Sequence, residues 1–276
     1  MKIKDFTGKV AYITGGSSGI GLATARLLAS KGASVIIFAR RAELLAEAVN
    51  GIKKNKISEK QRFSYMQLDV ANRLEVEIVL QKAVKEFGAP DILINSAGIS
   101  YPHKFEDIPY ETFDGIIKTN LYGIWNMIYV LLPYMKQRGG YIMNVSSIAG
   151  FIGVFGLSAY SASKFGVVGL SEALRSELKR FDITVSVFCP GDVDTPMMDR
   201  SIKIRPEETK AVSATASMLR PEDVAQALVK SMAHEGFMVL ANSAGKFTYN
   251  MKRLFPWLVE WVTGSQIKKV QRKGTG

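Results

Sequence analysis

Cysteine, histidine and acid are all scarce in this chain. A lone cysteine, Cys189, among 276 residues cannot close an internal disulfide, which points to a reducing compartment. The two histidines, His103 and His234, show no ligand spacing, so no metal site is expected. Aspartate and glutamate number 25 against 36 lysines and arginines, a formal charge of +11. The excess is local. From Lys246 to Gly276, seven basic residues face the single acid Glu260, a +6 tail. That distribution describes a basic appendage on an ordinary body, and no nucleic-acid motif accompanies it, so no nucleic-acid partner is expected.

Long apolar runs are missing too. Nothing reaches the roughly 18 uninterrupted residues of a spanning helix. The nearest stretch, Leu121–Met135, contains Asn126 and Pro133 and reads as a buried helix. The opening MKIKDFTGKV turns polar too soon for a secretory signal. A cytoplasmic protein is the expectation.

What is present is an alternation. Short apolar runs at Lys9–Thr14, Ser34–Ala39, Phe63–Val70, Asp91–Gly98, Gly140–Ser147, Thr184–Gly191 and Gly236–Ala241 are separated by segments of helical period. Continuous apolar strands between helices indicate a parallel sheet covered on both faces. The fold class expected is α/β: one doubly wound, Rossmann-type domain over residues 1–245, with an amphipathic, basic C-terminal extension over 246–276.

The first strand runs into TGGSSGIG (Thr14–Gly21) and then into a helical segment. Glycine lets a backbone turn tightly and approach a pyrophosphate, and the following helix N-terminus offers free N–H groups to it. Gly15, Ser17, Ser18, Gly19, Ile20 and Gly21 are therefore candidate dinucleotide contacts, although G-x-x-x-G-x-G differs from the general G-x-G-x-x-G. The second strand ends in FARR. An NAD site usually places an acid there for the ribose hydroxyls. Arg40 and Arg41 would instead attract a 2′-phosphate, which favours NADPH/NADP+ as cofactor. The other reading of these arginines is a solvated helix start.

A second motif, SAYSASKFG (Ser158–Gly166), sets Tyr160 and Lys164 one helical turn apart. With TGGSSGIG, NSAG (Asn95–Gly98), Asn120 in KTNLYG, Ser147 thirteen residues before the tyrosine, and PGDVDTP (Pro190–Pro196), the chain resembles the short-chain dehydrogenase/reductase family. It departs from the family in Ser96, where a second asparagine is usual. The resemblance implies a catalytic set of Asn120, Ser147, Tyr160 and Lys164. Tyr160 would be the general acid, Lys164 would lower its pKa and hold the nicotinamide ribose, and Ser147 would bond the substrate carbonyl. Asn120 would help hold a proton-relaying water. Asp69 and Val70 would flank the adenine, Asn95, Ala97 and Gly98 the ribose and strand edge, and Pro190, Gly191, Val193 and Thr195 the nicotinamide. Each has a plainer reading: Ser147 as a cap with Ser146 as its rival, Asn120 as a satisfied buried amide, PGDVDTP as a turn-rich loop.

For substrate, the RPEET, SATAS and RPEDVA pieces of Met197–Ala225 resemble the 3-ketodihydrosphingosine reductase branch of that family, which reduces the 3-oxo group of a long-chain sphingoid base with NADPH. Met197, Met198, Phe151, Phe155 and Leu157 could line an acyl groove or simply fill a core. Other 3-oxoacyl, steroid or xenobiotic ketones fit the same chemistry. A non-enzymatic nucleotide-sensing module is the third class, and an intact Ser147, Tyr160 and Lys164 argues against it. In the tail, Leu254, Phe255, Trp257, Leu258, Trp261 and Val262 lie between basic clusters. Two readings stay open: a helix on an anionic bilayer, or a segment packed on the core or on another subunit. The apolar helix at Leu121–Met135 and the family resemblance point to a homodimer or homotetramer.

Overall fold

The computed structural model describes residues 2–214 and 217–274; the centre of the SATAS piece, residues 215 and 216, lies outside them. Seven parallel strands form one sheet in the order β3-β2-β1-β4-β5-β6-β7: β1 Val10–Thr14, β2 Ser34–Ala39, β3 Phe63–Gln67, β4 Ile92–Asn95, β5 Gly140–Val145, β6 Ile183–Cys189 and β7 Met238–Leu240. Side chains on one strand alternate between faces. Ala11, Ile13, Val35 and Ile37 point into one core, and Tyr12, Ile36 and Phe38 into the other. With both faces covered, strands read as unbroken apolar runs, which is why they were visible in the sequence. β7 is shorter than its apolar run and half-buried, as befits an edge.

Helices α1 (Gly19–Ala29), α2 (Ala42–Lys53), α3 (Arg73–Phe87), α4 (Tyr110–Ile117), α5 (Gly123–Met135), α6 (Ser158–Leu178), α7 (Pro196–Ile204), α8 (Glu207–Ser213), α9 (Pro221–Ser231), α10 (Ser243–Leu254) and α11 (Pro256–Gly274) complete the chain. Leu28 of α1, Leu45 of α2 and Leu228 of α9 fill the first core. Leu80 of α3, Met127 of α5 and Val167 of α6 fill the second. The strand order reverses between β1 and β4, so a crevice opens above their carboxyl ends.

Two details depart from the simple alternation. α4 runs into α5 through a π-helical turn, Lys118–Tyr122, so Asn120 sits in a π-turn rather than mid-α-helix. Such turns release a backbone bond and recur near functional sites. The basic extension is two further helices, α10 and α11, and α11 packs against α8. No helix among the described residues is long and apolar enough to cross a membrane.

Candidate active site

The turn after β1 is built to admit a phosphate closely. Gly15 and Gly19 take φ of +68° and +55°, a backbone region that favours glycine. A Cβ on Gly15 would lie 2.8 Å from the Ser96 carbonyl oxygen, and one on Gly19 would lie 2.9 Å from Thr195 Cγ2. Ser18 caps α1 without a side-chain bond, so the first-turn N–H groups remain open to an anion. Gly15, Ser17, Ser18, Gly19 and Ile20 all line the crevice. Gly21 does not. It is buried, and a Cβ there would stand 2.4 Å from the Gly15 carbonyl, so it lets α1 pack on the turn.

Further along the crevice, Arg40 and Arg41 flank its far end beside Asp69 and Val70. Their guanidinium groups make no hydrogen bond or ion pair with other described residues, while Asp69 turns its carboxylate onto Ala71 N at 3.0 Å. Ala97 and Gly98 line the middle, and Pro190, Gly191, Val193 and Thr195 line the opposite wall. Asn95 stays out of it: 1% exposed, it donates through Nδ2 to Asn144 Oδ1 at 2.8 Å inside the sheet. A nicotinamide dinucleotide fits this cradle of open N–H groups, tight glycines and free cations.

Ser147, Tyr160 and Lys164 converge on the same crevice. Ser147 follows β5, where its backbone is extended and its Oγ accepts from Ala149 N at 3.1 Å, capping a short 3-10 turn. That hydroxyl also acts on the Tyr160 phenol, drawing its pKa down against the effect of burial. Its rival Ser146 is buried and donates to the Lys164 carbonyl at 2.9 Å, a structural role. Lys164 is 3% exposed; its Nζ donates to the Val145 carbonyl at 2.9 Å and lies 5.5 Å from the Tyr160 ring centre. Asn120 lies behind the crevice wall. Its amide donates to Ile99 O and Ser163 Oγ, both at 2.9 Å, and accepts from Ile99 N at 2.8 Å. It is a satisfied buried amide and also a neighbour of the lysine: a Cβ on Gly98 would meet Asn120 Oδ1 at 3.2 Å and Lys164 Nζ at 3.6 Å.

The expected lowering of the tyrosine pKa is not what the site does. Burial pushes the Tyr160 phenol up to about 12, opposed first by the Ser147 hydrogen bond. Burial also pulls the Lys164 amine down to about 8. Desolvation disfavours the charged form of each, so it moves the two groups in opposite directions. The phenol is held protonated.

The crevice, about 1140 Å³, extends past the tyrosine into an apolar chamber. Leu157, Met197, Met198 and Ile204 line it from one side, and Met251, Leu258 and Val262 from α10 and α11 roof it. Phe151 does not line it but meets Tyr249 of α10 edge-on at 5.2 Å, so it seats the roof; Phe155 offers its carbonyl to Thr209 Oγ1 at 2.8 Å. The tail therefore packs on the body, as one of its two readings held. The roofing residues were not singled out as site residues in the sequence; the only signal was the apolar positions among basic ones.

A doubly wound sheet, a phosphate-admitting turn and a Ser–Tyr–Lys set at the strand ends define a dinucleotide-dependent oxidoreductase. The short chain dehydrogenase family matches residues 9–206, and the chain belongs to that family. It is 37% identical over 240 residues to a 3-ketodihydrosphingosine reductase of Bos taurus, covering 86% of this chain and 72% of the relative. It is 34% identical over 243 residues to a 3-oxoacyl-(acyl-carrier-protein) reductase of Thermotoga maritima, covering 86% and 96%. Among solved structures, a short chain dehydrogenase/reductase from Burkholderia phymatum in complex with NAD superposes with a TM-score of 0.81 at 25% identity, covering 93% and 96%. The chain is a short-chain oxidoreductase of the ketone-reducing kind.

Proposed function

We propose that this protein uses NADPH to reduce the ketone of a long-chain lipid, the 3-oxo group of a sphingoid base, to a secondary alcohol. The observation that carries the substrate half is the apolar lining that α10 and α11 give to the same crevice as Tyr160. The likeness to the Bos taurus reductase supports the same ketone. The likeness to the Thermotoga reductase keeps a 3-oxoacyl thioester as the second reading. When bound, the nicotinamide supplies hydride to the carbonyl carbon. Ser147 and Tyr160 hold the carbonyl oxygen, and the phenol gives it a proton. A phenol at about 12 is well suited to that task, because an alkoxide is a far stronger base and takes the proton downhill. The Lys164 ammonium then faces the new phenolate and steadies it.

The phosphorylated dinucleotide is favoured by the unpaired Arg40 and Arg41, even though the Burkholderia relative was solved with NAD. Wild type is expected to bind NADPH roughly tenfold or more tighter than NADH, and Arg40→Ala with Arg41→Ala to lose most of that preference. Fluorescence titration reads this directly, and equal affinities in wild type would defeat the assignment.

The outer side of the roof supports peripheral contact with an anionic bilayer. Trp257 and Trp261 are 66% and 67% exposed, beside exposed Leu254 and Phe255 and among the tail's basic residues. A chain ending at Gly245 is expected to lose flotation with anionic liposomes; undiminished flotation would reject the contact. Exposed Trp125 and Tyr129 along α5, with Tyr122 in the turn before it, support a homo-oligomer through that helix. Sedimentation as a monomer at micromolar concentration would contradict it.

A further inference from the structure

One acid in the crevice has no part in the chemistry above. Asp192 stands in PGDVDTP between two cofactor-wall residues, and it lines the crevice with Ser147 and Tyr160. Its backbone is pinned: its carbonyl accepts from Leu219 N at 2.9 Å, and the next residue, Val193, bridges to Leu219 as an isolated strand pair. Its side chain is pinned as well. Arg205 Nη1 donates to Oδ2 at 2.8 Å, while Nη2 reaches Oδ1 at only 3.4 Å. Arg205, 8% exposed in its side chain, is itself tied to Ser201 Oγ at 2.9 Å and to the Met198 sulfur at 3.1 Å. The guanidinium thus aims the carboxylate and leaves Oδ1 with open lone pairs.

The charges around the reacting position give that oxygen a purpose. Lys164, Arg200 and Arg205 line this end of the crevice, all basic. Among the described residues, Asp69 and Asp192 are the acids that line the crevice, and Asp69 lies beyond β3 with its carboxylate on Ala71 N. Of the charged side chains named at this end, Asp192 alone is opposite in sign to a cationic substrate. Asp192 and Tyr160 line the same crevice, and the carboxylate charge helps hold the phenol's pKa up. In a sphingoid ketone the ammonium is borne on the carbon next to the carbonyl, so a group that reads it must sit beside the proton donor.

We propose that Asp192 recognises the ammonium group adjacent to the reacting carbonyl, which makes the cleft selective for a long-chain α-amino ketone over a neutral ketone of equal length. This rests on the lipid-ketone reading given under the proposed function and sharpens it. A 3-oxoacyl thioester has no such cation, so the carboxylate separates the two substrate classes left open there.

The test compares 3-oxosphinganine with its N-acetyl derivative, which keeps the chain and ketone and loses the charge. In Asp192→Asn, KM for the amine-bearing ketone is expected to rise on the order of tenfold, as loss of one charge-assisted bond implies. KM for the N-acetyl ketone is expected to stay within about twofold, on the same principle. Asp192→Glu, which keeps the charge, should restore most of the discrimination. Equal losses on both ketones would overturn the proposal, since they would mean that Asp192 only braces Arg205. An unchanged KM for the amine would overturn it too. Wild type inactive on both ketones would instead remove the lipid-ketone reading, and the proposal with it.

Discussion

Tyr160→Phe is expected to lower kcat for ketone reduction by about 10²- to 10⁴-fold, the usual contribution of a positioned general acid. Dinucleotide affinity should be nearly unchanged. The substitution removes one oxygen from a half-buried ring and leaves the glycine turn, the arginines and the N-terminus of α1 untouched. The hydroxyl it deletes sits where burial holds its pKa at about 12. Ser147 can still donate a hydrogen bond to the carbonyl oxygen, since its Oγ only accepts from Ala149 N, but an aliphatic hydroxyl is too weak an acid to replace the phenol as proton source. Single-turnover kinetics with saturating cofactor isolate the step. A variant with more than a tenth of wild-type turnover would exclude the acid role.

Lys164→Met separates function from stability more sharply. Turnover is expected to fall by at least about 10²-fold, since methionine carries no charge to steady a phenolate. The fold is expected to become more stable. The amine's pKa falls from 10.5 to about 8 on burial, which is a penalty on the order of 3 kcal/mol for keeping it charged at neutral pH. Leaving the Val145 carbonyl without its donor costs about 1 kcal/mol in return. The net is about 2 kcal/mol, or a Tm several degrees higher for a domain of this size. The pH dependence follows from the sign of the shift. Below pH 8 the lysine is protonated in folded and unfolded chains alike, and the penalty is complete. Between 8 and 10.5 the folded chain sheds the proton first, so wild type gains stability relative to the variant. Above 10.5 the penalty is gone. The difference in Tm should therefore shrink as pH rises through that window; a constant difference, or a destabilised variant, would contradict the desolvated amine.

The same lysine shows where reading the sequence reaches its limit. Its spacing from Tyr160 is local, fixed by one helical turn, and it was legible. The direction of the tyrosine's shift was not, because it depends on how much protein closes over both groups, and that cover comes from segments distant in the chain. The turn after β1 was legible for the same local reason: strand, glycines and helix are contiguous, and the positive-φ positions fall on glycines. Gly21 and Asn95 carry the right motif letters, yet packing between elements sends one under the turn and the other into the sheet. The tail's composition announced an amphipathic segment. Which face turns inward was decided by α8, a short helix that the local pattern did not reveal. Asp192 looked like a turn residue until Arg205, thirteen residues away, was seen to hold it.

A carbonyl reductase whose proton donor shares its crevice with a chamber for an alkyl chain should favour long-chain ketones. Initial rates of NADPH consumption across ketones graded by chain length, with 3-oxosphinganine at the long end, test it most directly. kcat/KM is expected to climb steadily with chain length and to be highest for 3-oxosphinganine. A flat profile, or a preference for short or steroidal ketones, would contradict it.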